Sequence, residues 1–364
     1  MKDHRYCIIM AGGAGNNLWP VCRESRPKPF MDVALAGRTF LEMTYDRFRK
    51  ILPAENILVV THTRLAGLVR EQLPSLPEKN LIEEPYSRGT APCITLANSH
   101  ILHRDKDAVI TVTPADHIIA DETLFARTMD AAITYAAEHD VLMTLGILPT
   151  HPSASYGYIQ AKRTEESEGT DAPMKVKTFT EKPDEALAKV FLGSGEFFWN
   201  SGIYVWKASV IRKEINHYMP ALADLFRGWE EVIETPRETE FMQRAYAECP
   251  KISIDYGVME KTDIAWLYPG RFGWSDIDSW EGMFRQIADK DASGNAANTG
   301  RILARDLHGC LVIAKDKRKL YALKGLEDYL VIDTDDALLV CPRDEKSFKD
   351  LVSGLGMPEY EADR

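Results

Sequence analysis

Over the first half of the chain, short apolar runs rich in Val and Ile alternate with stretches whose apolar residues recur at helical spacing. Residues 6–10, 57–61, 108–113 and 141–146 are each bounded by turn or polar residues and read as buried parallel strands. Between the first two, Leu41, Tyr45, Phe48 and Leu52 follow a helical period, and residues 124–138 supply a second amphipathic helix. Strand and helix in alternation predict βαβ units and a doubly wound α/β sheet. Residues 175–179, 202–206 and 264–268 read as further strands set between shorter helices.

From 289 to 300 the pattern stops, and a small, polar stretch reads as a linker or long loop. Beyond it, residues 310–314, 320–323, 329–333 and 337–341 are short strands separated by turn-rich segments, closed by a helix near 345–351. A few coils of a β-helix would fit this small all-β appendage. The expected organisation is a main domain over 1–288, the linker over 289–300 and a C-terminal β domain over 301–364.

Composition narrows the chemistry. The chain has 364 residues, 45% hydrophobic and 27% charged, enough for about two domains with cores of their own. Lys plus Arg is 44 against 55 for Asp plus Glu, a net charge of −11, which argues against a nucleic-acid surface. An anionic ligand must then be met by a few local cations, a helix N-terminus or a metal. Six cysteines show neither C-x-x-C pairing nor a repeated spacing, so neither a zinc site nor a disulfide framework is implied. The apolar run at the N-terminus is too short for a secretory signal, and no stretch is long enough to span a bilayer. A reducing cytoplasm is the expected location.

The first strand runs into Ala11-Gly12-Gly13-Ala14-Gly15-Asn16-Asn17-Leu18, at the edge where open α/β sheets hold ligands. Glycines there let backbone N–H groups approach a polyphosphate, although a tight turn without ligand reads the same way. A Rossmann turn wants a glycine where Leu18 stands, and a P-loop wants Gly-Lys-Ser/Thr, so both named motifs fail. Arg23, Arg26 and Lys28 follow closely, which suggests phosphate, with a solvated basic loop as the plain alternative. Asp116 ends the third strand, and Asp276 lies far along the chain in Gly273-Trp274-Ser275-Asp276-Ile277-Asp278. Two separated carboxylates suffice for Mg2+, which takes its other ligands from phosphate and water; a helix cap at Asp116 and a surface turn at Asp276 are the structural alternatives. His117 reads as a residue that supports a ligand or packs, not as a metal ligand, since no partner His lies at ligand spacing. Glu181 and Lys182 can meet sugar hydroxyls and a phosphate, or form a surface ion pair, and Trp199-Asn200-Ser201-Gly202 joins an aromatic platform to an amide, or makes a turn.

Taken in order, these segments resemble the sugar-nucleotidyltransferase family, and most closely its bacterial mannose-1-phosphate guanylyltransferases. The resemblance is carried by the glycine loop with Pro27-Lys28-Pro29-Phe30, by Glu84-Pro85-Tyr86-Ser87-Arg88-Gly89-Thr90-Ala91-Pro92, and by Pro114-Ala115-Asp116-His117. It continues through Tyr156-Gly157-Tyr158-Ile159, Glu181-Lys182-Pro183, Trp199-Asn200-Ser201-Gly202, Ser253-Ile254-Asp255-Tyr256-Gly257-Val258-Met259-Glu260-Lys261 and Trp274-Ser275-Asp276. The tail, with Gly325-Leu326 and the segment 333–342, looks like the family's short C-terminal β domain.

The resemblance implies a mixed, mostly parallel nucleotidyltransferase sheet with a short β-helix-like domain, a dependence on Mg2+, and assembly as a homodimer. It implies that the phosphate oxygen of mannose 1-phosphate attacks the α-phosphorus of GTP in line, giving GDP-mannose and pyrophosphate. It gives Lys28 and Arg23 to the phosphates as catalytic cations, and Asp116 and Asp276 to the metal. Gly12, Gly13, Gly15, Asn17, Glu84, Arg88, Thr90 and Pro92 fall on the nucleotide side, and Gly157, Glu181, Lys182 and Asn200 on the sugar phosphate. Three departures stand out. Asn16-Asn17 replaces the family's Thr-Arg, Pro29 replaces Gln, and Asp278 stands where Gly is common. Asn cannot replace the charge or the bidentate fork of Arg, so Arg23 or Arg26 is the expected substitute. The alternatives are a nucleotide-sugar-binding paralogue with little turnover, and a transferase for another base or hexose 1-phosphate.

Overall fold

The computed structural model describes residues 4–13, 16–33, 36–161 and 172–363. Two compact units result: one from residues 1–12 and 42–275, the other from 13–41 and 276–364. The second unit thus takes in the segment after the glycines as well as the C-terminal strands, a division that composition did not announce.

In the first unit, the strands β1 (Arg5–Met10), β2 (Ile57–His62), β3 (Leu81–Glu84) and β4 (Val109–Pro114) pair in parallel in the order β3-β2-β1-β4. Their apolar runs are hidden on both faces; Ile8, Ile9, Leu58, Val59, Ile110 and Val112 have no exposed surface. A short strand β5 (His117–Ile119) follows β4. The next strands are β6 (Leu142–Ile147), β7 (Tyr158–Ala161), β8 (Met174–Thr180), β9 (Phe197–Lys207) and β10 (Ala265–Gly270). They extend the sheet to the order β3-β2-β1-β4-β9-β6-β10-β8-β7. β11 (Trp274–Asp276) pairs with β5 outside it.

Two expectations change here. The run at 202–206 is the end of an eleven-residue strand, β9, which lies antiparallel between β4 and β6 and separates two of the strands expected to neighbour one another in a parallel block. Trp199 to Gly202 therefore sit inside a strand, not in a turn; Gly202 has φ 67 and lies in a bulge of β9, where residues 201–203 face Leu145 alone on β6. Apolar runs carry burial but no direction, so periodicity alone could not orient β9. The helices follow their capping chemistry: Asp121 accepts the Leu124 N–H at 2.8 Å at the start of Glu122–Glu138, and an acid, Glu122, occupies the first turn.

In the second unit, the strands β12 (Ala296–Ala297), β13 (Ile302–His308), β14 (Leu311–Ala314), β15 (Tyr321–Glu327), β16 (Tyr329–Asp333) and β17 (Leu338–Pro342) form two small sheets. β13 pairs in parallel with β15 and β14 with β16, each at an offset of 19 residues (321 − 302 and 330 − 311), the rung spacing of a short β-helix. The stretch read as a linker already carries the first rung, β12, and β13 escaped the sequence reading because its side chains are mostly exposed. Two asparagines act as internal rungs. Asn295 donates to Leu307 O and accepts from the Cys310 N–H, both at 2.9 Å, while Asn298 donates to Ala314 O at 2.9 Å and accepts from the Ala314 N–H at 2.7 Å. Arg343 binds Glu281, Asp328 and Gly309 O, fixing the helix Trp280–Gln286 to the coils.

Candidate active site

β3, β1 and β4 run the same way, so Glu84, Gly12 and Asp116 all sit at carboxyl ends of parallel strands. Gly12 and Gly13 are exposed, with nothing within 4 Å of where a Cβ would stand, and Gly13 has φ 132. Their surroundings are fixed by neighbours: Thr61 donates to Ala11 O at 2.6 Å, and the Ala115 N–H donates to Met10 O at 3.1 Å. Gly15 lies outside the described residues. Asp116 joins two strands and begins no helix, since the cap that follows is Asp121; a capping role is thereby excluded. His117 is buried and packs edge-on against Trp274 at 5.2 Å, as a packing residue should.

Glu84 is perturbed by its surroundings at this edge. Burial pushes its carboxyl up to about 7, against the opposing pull of bonds from Tyr246 and Cys93. Tyr246 Oη donates to Glu84 Oε1 at 2.9 Å, and both the phenol and the Cys93 thiol are themselves raised by burial. The following loop is built on backbone contacts. Gly89 takes φ 88, and its missing Cβ makes room for Ile252 O, which would lie 2.5 Å from it. Ile252 N–H donates to Arg88 O at 3.0 Å, Ala91 N–H to Ile252 O at 3.2 Å, and Ile254 N–H to Thr90 Oγ1 at 2.9 Å. Arg88 itself donates to the carbonyls of Tyr246 and Ala247, so its guanidinium braces the loop. Pro92 is buried in the first turn of the helix Thr90–Arg104.

The residues expected on the sugar side meet across β7, β8 and β9. Tyr158 stands opposite both Thr180 and Trp199, which makes Gly157, Glu181 and Asn200 lateral neighbours, and Asn200 N–H donates to Gly157 O at 2.8 Å. A Cβ on Gly157 would stand 2.6 Å from Glu181 Oε2. Burial raises the Glu181 carboxyl, and the charges of Asp255 and Glu260 raise it further while Lys182 opposes them. Lys182 takes φ 42, an uncommon conformation for a side-chain-bearing residue, immediately before Pro183. Tyr156 packs edge-on to Trp199 at 5.0 Å and to Trp274 at 5.3 Å, walling this region with rings. Asp255, Tyr204 and Tyr246 were given no role from sequence. Asp255 was quoted within a motif, and it opens a π-helical turn over Asp255–Met259, a rare element often found at functional sites.

In the second unit, Lys28 opens the short helix Lys28–Phe30, donates to Asp276 and lies 5.5 Å from the Phe40 ring centre. Arg23 donates to Asp336 at 2.8 Å and to Pro20 O at 3.4 Å. Asn17 and Arg26 are exposed.

The comparisons give this arrangement a family. The nucleotidyl transferase family model matches residues 6–293, most of the chain. The chain belongs to the nucleotidyl transferase family. A second model, the mannose-phosphate isomerase/GMP-like β-helix domain, matches residues 300–355 of this nucleotidyltransferase. Among similar proteins, the xanthan biosynthesis protein XanB of Xanthomonas campestris is 37% identical over 96% of this chain and 72% of its own. The mannose-1-phosphate guanylyltransferase of Salmonella montevideo is 35% identical over 93% of this chain and 72% of its own. A solved Thermus thermophilus structure described as a mannose-1-phosphate geranyltransferase superposes with a TM-score of 0.85, at 30% identity, over 97% of this chain and all of that one. The mixed sheet with a β-helix appendage is thus the family's architecture, as the sequence led one to expect. Among the described residues, no helix is long and apolar enough to cross a membrane.

Proposed function

We propose that this nucleotidyltransferase transfers GMP from GTP to mannose 1-phosphate, the phosphate oxygen of the sugar attacking the α-phosphorus in line and pyrophosphate leaving. The observation that carries the reading is the 35% identity, over 93% of the chain, to a protein named for that reaction. Such chemistry needs two anions held in line and charge neutralised as it develops, with no covalent step on the protein. Lys28, paired with Asp276, serves the GTP phosphates, and Gly12 and Gly13, exposed and with open space where a Cβ would stand, are positions that a phosphate can approach. Glu84 accepts from the two N–H groups of the guanine edge, and Glu181 from sugar hydroxyls.

Among the described residues, no three His, Cys, Asp or Glu gather as a metal cage, so a cation held by protein alone does not fit. Asp116 and Asp276 offer oxygen only, a donor set that suits Mg2+, which fills its other positions with phosphate and water. A bound Mg2+ would offset charge on the transferring and leaving phosphates. All six cysteines are buried and none forms a disulfide, which fits the cytoplasm, and exposed Leu338 and Val340 on β17 fit the homodimer that the resemblance implies.

The decisive assay is pyrophosphate release from GTP and mannose 1-phosphate with Mg2+; no release above background refutes the reading. Replacing GTP by dTTP, UTP or ATP in a thermal-shift titration tests the base, since a ligand of the native state raises its stability. A second reading, a paralogue with little turnover, is favoured by one contact: Arg23, a candidate substitute for the Arg missing at position 17, is engaged by Asp336. Asn17→Arg separates the two, because turnover rising by orders of magnitude supports the weakened enzyme.

A further inference from the structure

Asn200 is half-buried, and its side-chain amide is anchored by neighbours within the protein. Its Oδ1 accepts from the Gly202 N–H at 3.1 Å and from Thr144 Oγ1 at 3.3 Å. Its Nδ2 donates to Asp255 Oδ1 at 2.9 Å and to Tyr204 Oη at 3.3 Å, and Tyr204 Oη donates in turn to the same Asp255 oxygen at 2.5 Å. A primary amide has two donors and two acceptor positions; the bonds from Gly202 N–H and to Asp255 set its orientation, and the two 3.3 Å contacts, with Thr144 and Tyr204, are the ones a sugar hydroxyl can replace. Turning the amide over would set its oxygen against the carboxylate, acceptor against acceptor, in a buried place where an unmade bond is costly. Asp255 thus decides which way Asn200 faces, although the two are 55 residues apart in sequence.

We infer that Asp255 is a positioning residue of the hexose 1-phosphate subsite, acting through Asn200 and Tyr204 and beside Glu181. This rests on the proposed reaction and adds to it a residue outside the site set that the sequence supplied. Asp255 also acts by charge. Glu181 faces Asp255, Glu260 and Lys182, and Asp255 faces Tyr204, Asn200, Lys182 and Glu181. Burial raises the Asp255 carboxyl, and its charge helps to raise that of Glu181. Neutralising Asp255 therefore lets Glu181 ionise at lower pH.

The test is steady-state kinetics of the full chain with GTP, mannose 1-phosphate and Mg2+, comparing wild type with Asp255→Asn and Tyr204→Phe. Asp255→Asn keeps the shape and an acceptor but removes the charge. It should raise the KM for the sugar phosphate about tenfold while the KM for GTP stays within about twofold, the scale of one hydrogen bond to a charged group. The acid limb of kcat/KM for the sugar should move to lower pH, which a merely structural role would not do. Tyr204→Phe should raise the same KM by a smaller factor, and it decides alone if Asp255→Asn fails to fold. Sugar KM values unchanged in the folded variants, or rising equally for both substrates, or an acid limb that stays in place, overturn the inference while wild-type turnover upholds the reaction. Wild type inert with every hexose 1-phosphate overturns the reaction and this inference with it.

Discussion

Two carboxylates in the first unit, Glu84 and Glu181, are raised by burial, and their neighbourhoods differ in kind. Glu84 faces a phenol and a thiol, Tyr246 and Cys93, both of which give hydrogen bonds that work against the rise. Glu181 faces two more acids, Asp255 and Glu260, and a lysine. One site is a single acid in an uncharged, partly apolar cradle; the other is a crowded electrostatic network. The first is suited to reading a fixed pattern of donors, because the groups that bond to it, a phenol and a thiol, carry no charge. The second is tunable, since each charge in it sets the others. Their supporting backbones differ as well: a glycine clamped against a carbonyl at Gly89, and a glycine beneath a flexible carboxylate tip at Gly157.

That contrast predicts its largest effect at Gly89. Gly89→Ala forces a Cβ to within 2.5 Å of Ile252 O, a backbone atom that cannot swing aside, at a φ of 88 that alanine rarely adopts. The loop carrying Arg88 and Thr90 and the start of the helix Thr90–Arg104 must both shift. The expected loss is about 3 kcal/mol in chemical denaturation, the range of strained backbone combined with lost contacts. A variant as stable as wild type would remove the clamp from the comparison.

Glu84→Gln comes next. In the unfolded chain the Glu84 carboxyl ionises in the ordinary range, while folded it keeps its proton until about pH 7. The folded state therefore binds more protons between those limits, and what Glu84 contributes to stability falls as the pH rises from about 4.5 to about 7. Gln carries no such penalty. Relative to wild type it should gain stability on going from pH 5 to pH 8, by on the order of 2–3 kcal/mol. Urea denaturation at the two pH values reads this directly, and a difference that does not change with pH would show that the cradle does not perturb Glu84.

What the sequence made legible, and what it hid, divides along the same line. The parallel strands β1, β2 and β4 were visible because fully buried strands leave continuous Val and Ile runs, and the expected ligand edge followed from where those runs meet glycine and Asp116, whereas Glu84 at the end of β3 was named only through the family motif. β9 was seen only in part, since its first residues carry Trp, Asn and Ser in positions that a turn would also use. The rungs β12 and β13 were hidden for a different reason: a β-helix coil exposes much of each strand, so no apolar run marks it. Residues of the candidate site were legible through motifs, but their partners were not. Tyr246 lies 162 residues from Glu84 and Asp255 lies 55 from Asn200, and nothing in one sequence announces a contact at such separations.

Gly157→Ala carries the smallest stability effect and draws the comparison most sharply. Its Cβ would meet Glu181 Oε2 at 2.6 Å, but that atom is the far end of a rotatable side chain, and the next neighbour, Asn200 Cβ, lies at an ordinary 3.5 Å. No left-handed φ is required at this position, so alanine meets no backbone strain. Glu181 can turn away, and the cost to folding should stay below about 1 kcal/mol, within the usual range for changes that create neither a cavity nor strain. In the proposed reaction, turning away removes the carboxylate from the position beside Asn200 from which it would accept hydrogen bonds from sugar hydroxyls. The expected result is a melting temperature close to wild type with a raised KM for mannose 1-phosphate and an unchanged KM for GTP. A Gly157→Ala protein that unfolds as readily as Gly89→Ala would mean that the crowded network is as rigid as the clamp, and one with unaltered sugar KM would remove Glu181 from the hexose side.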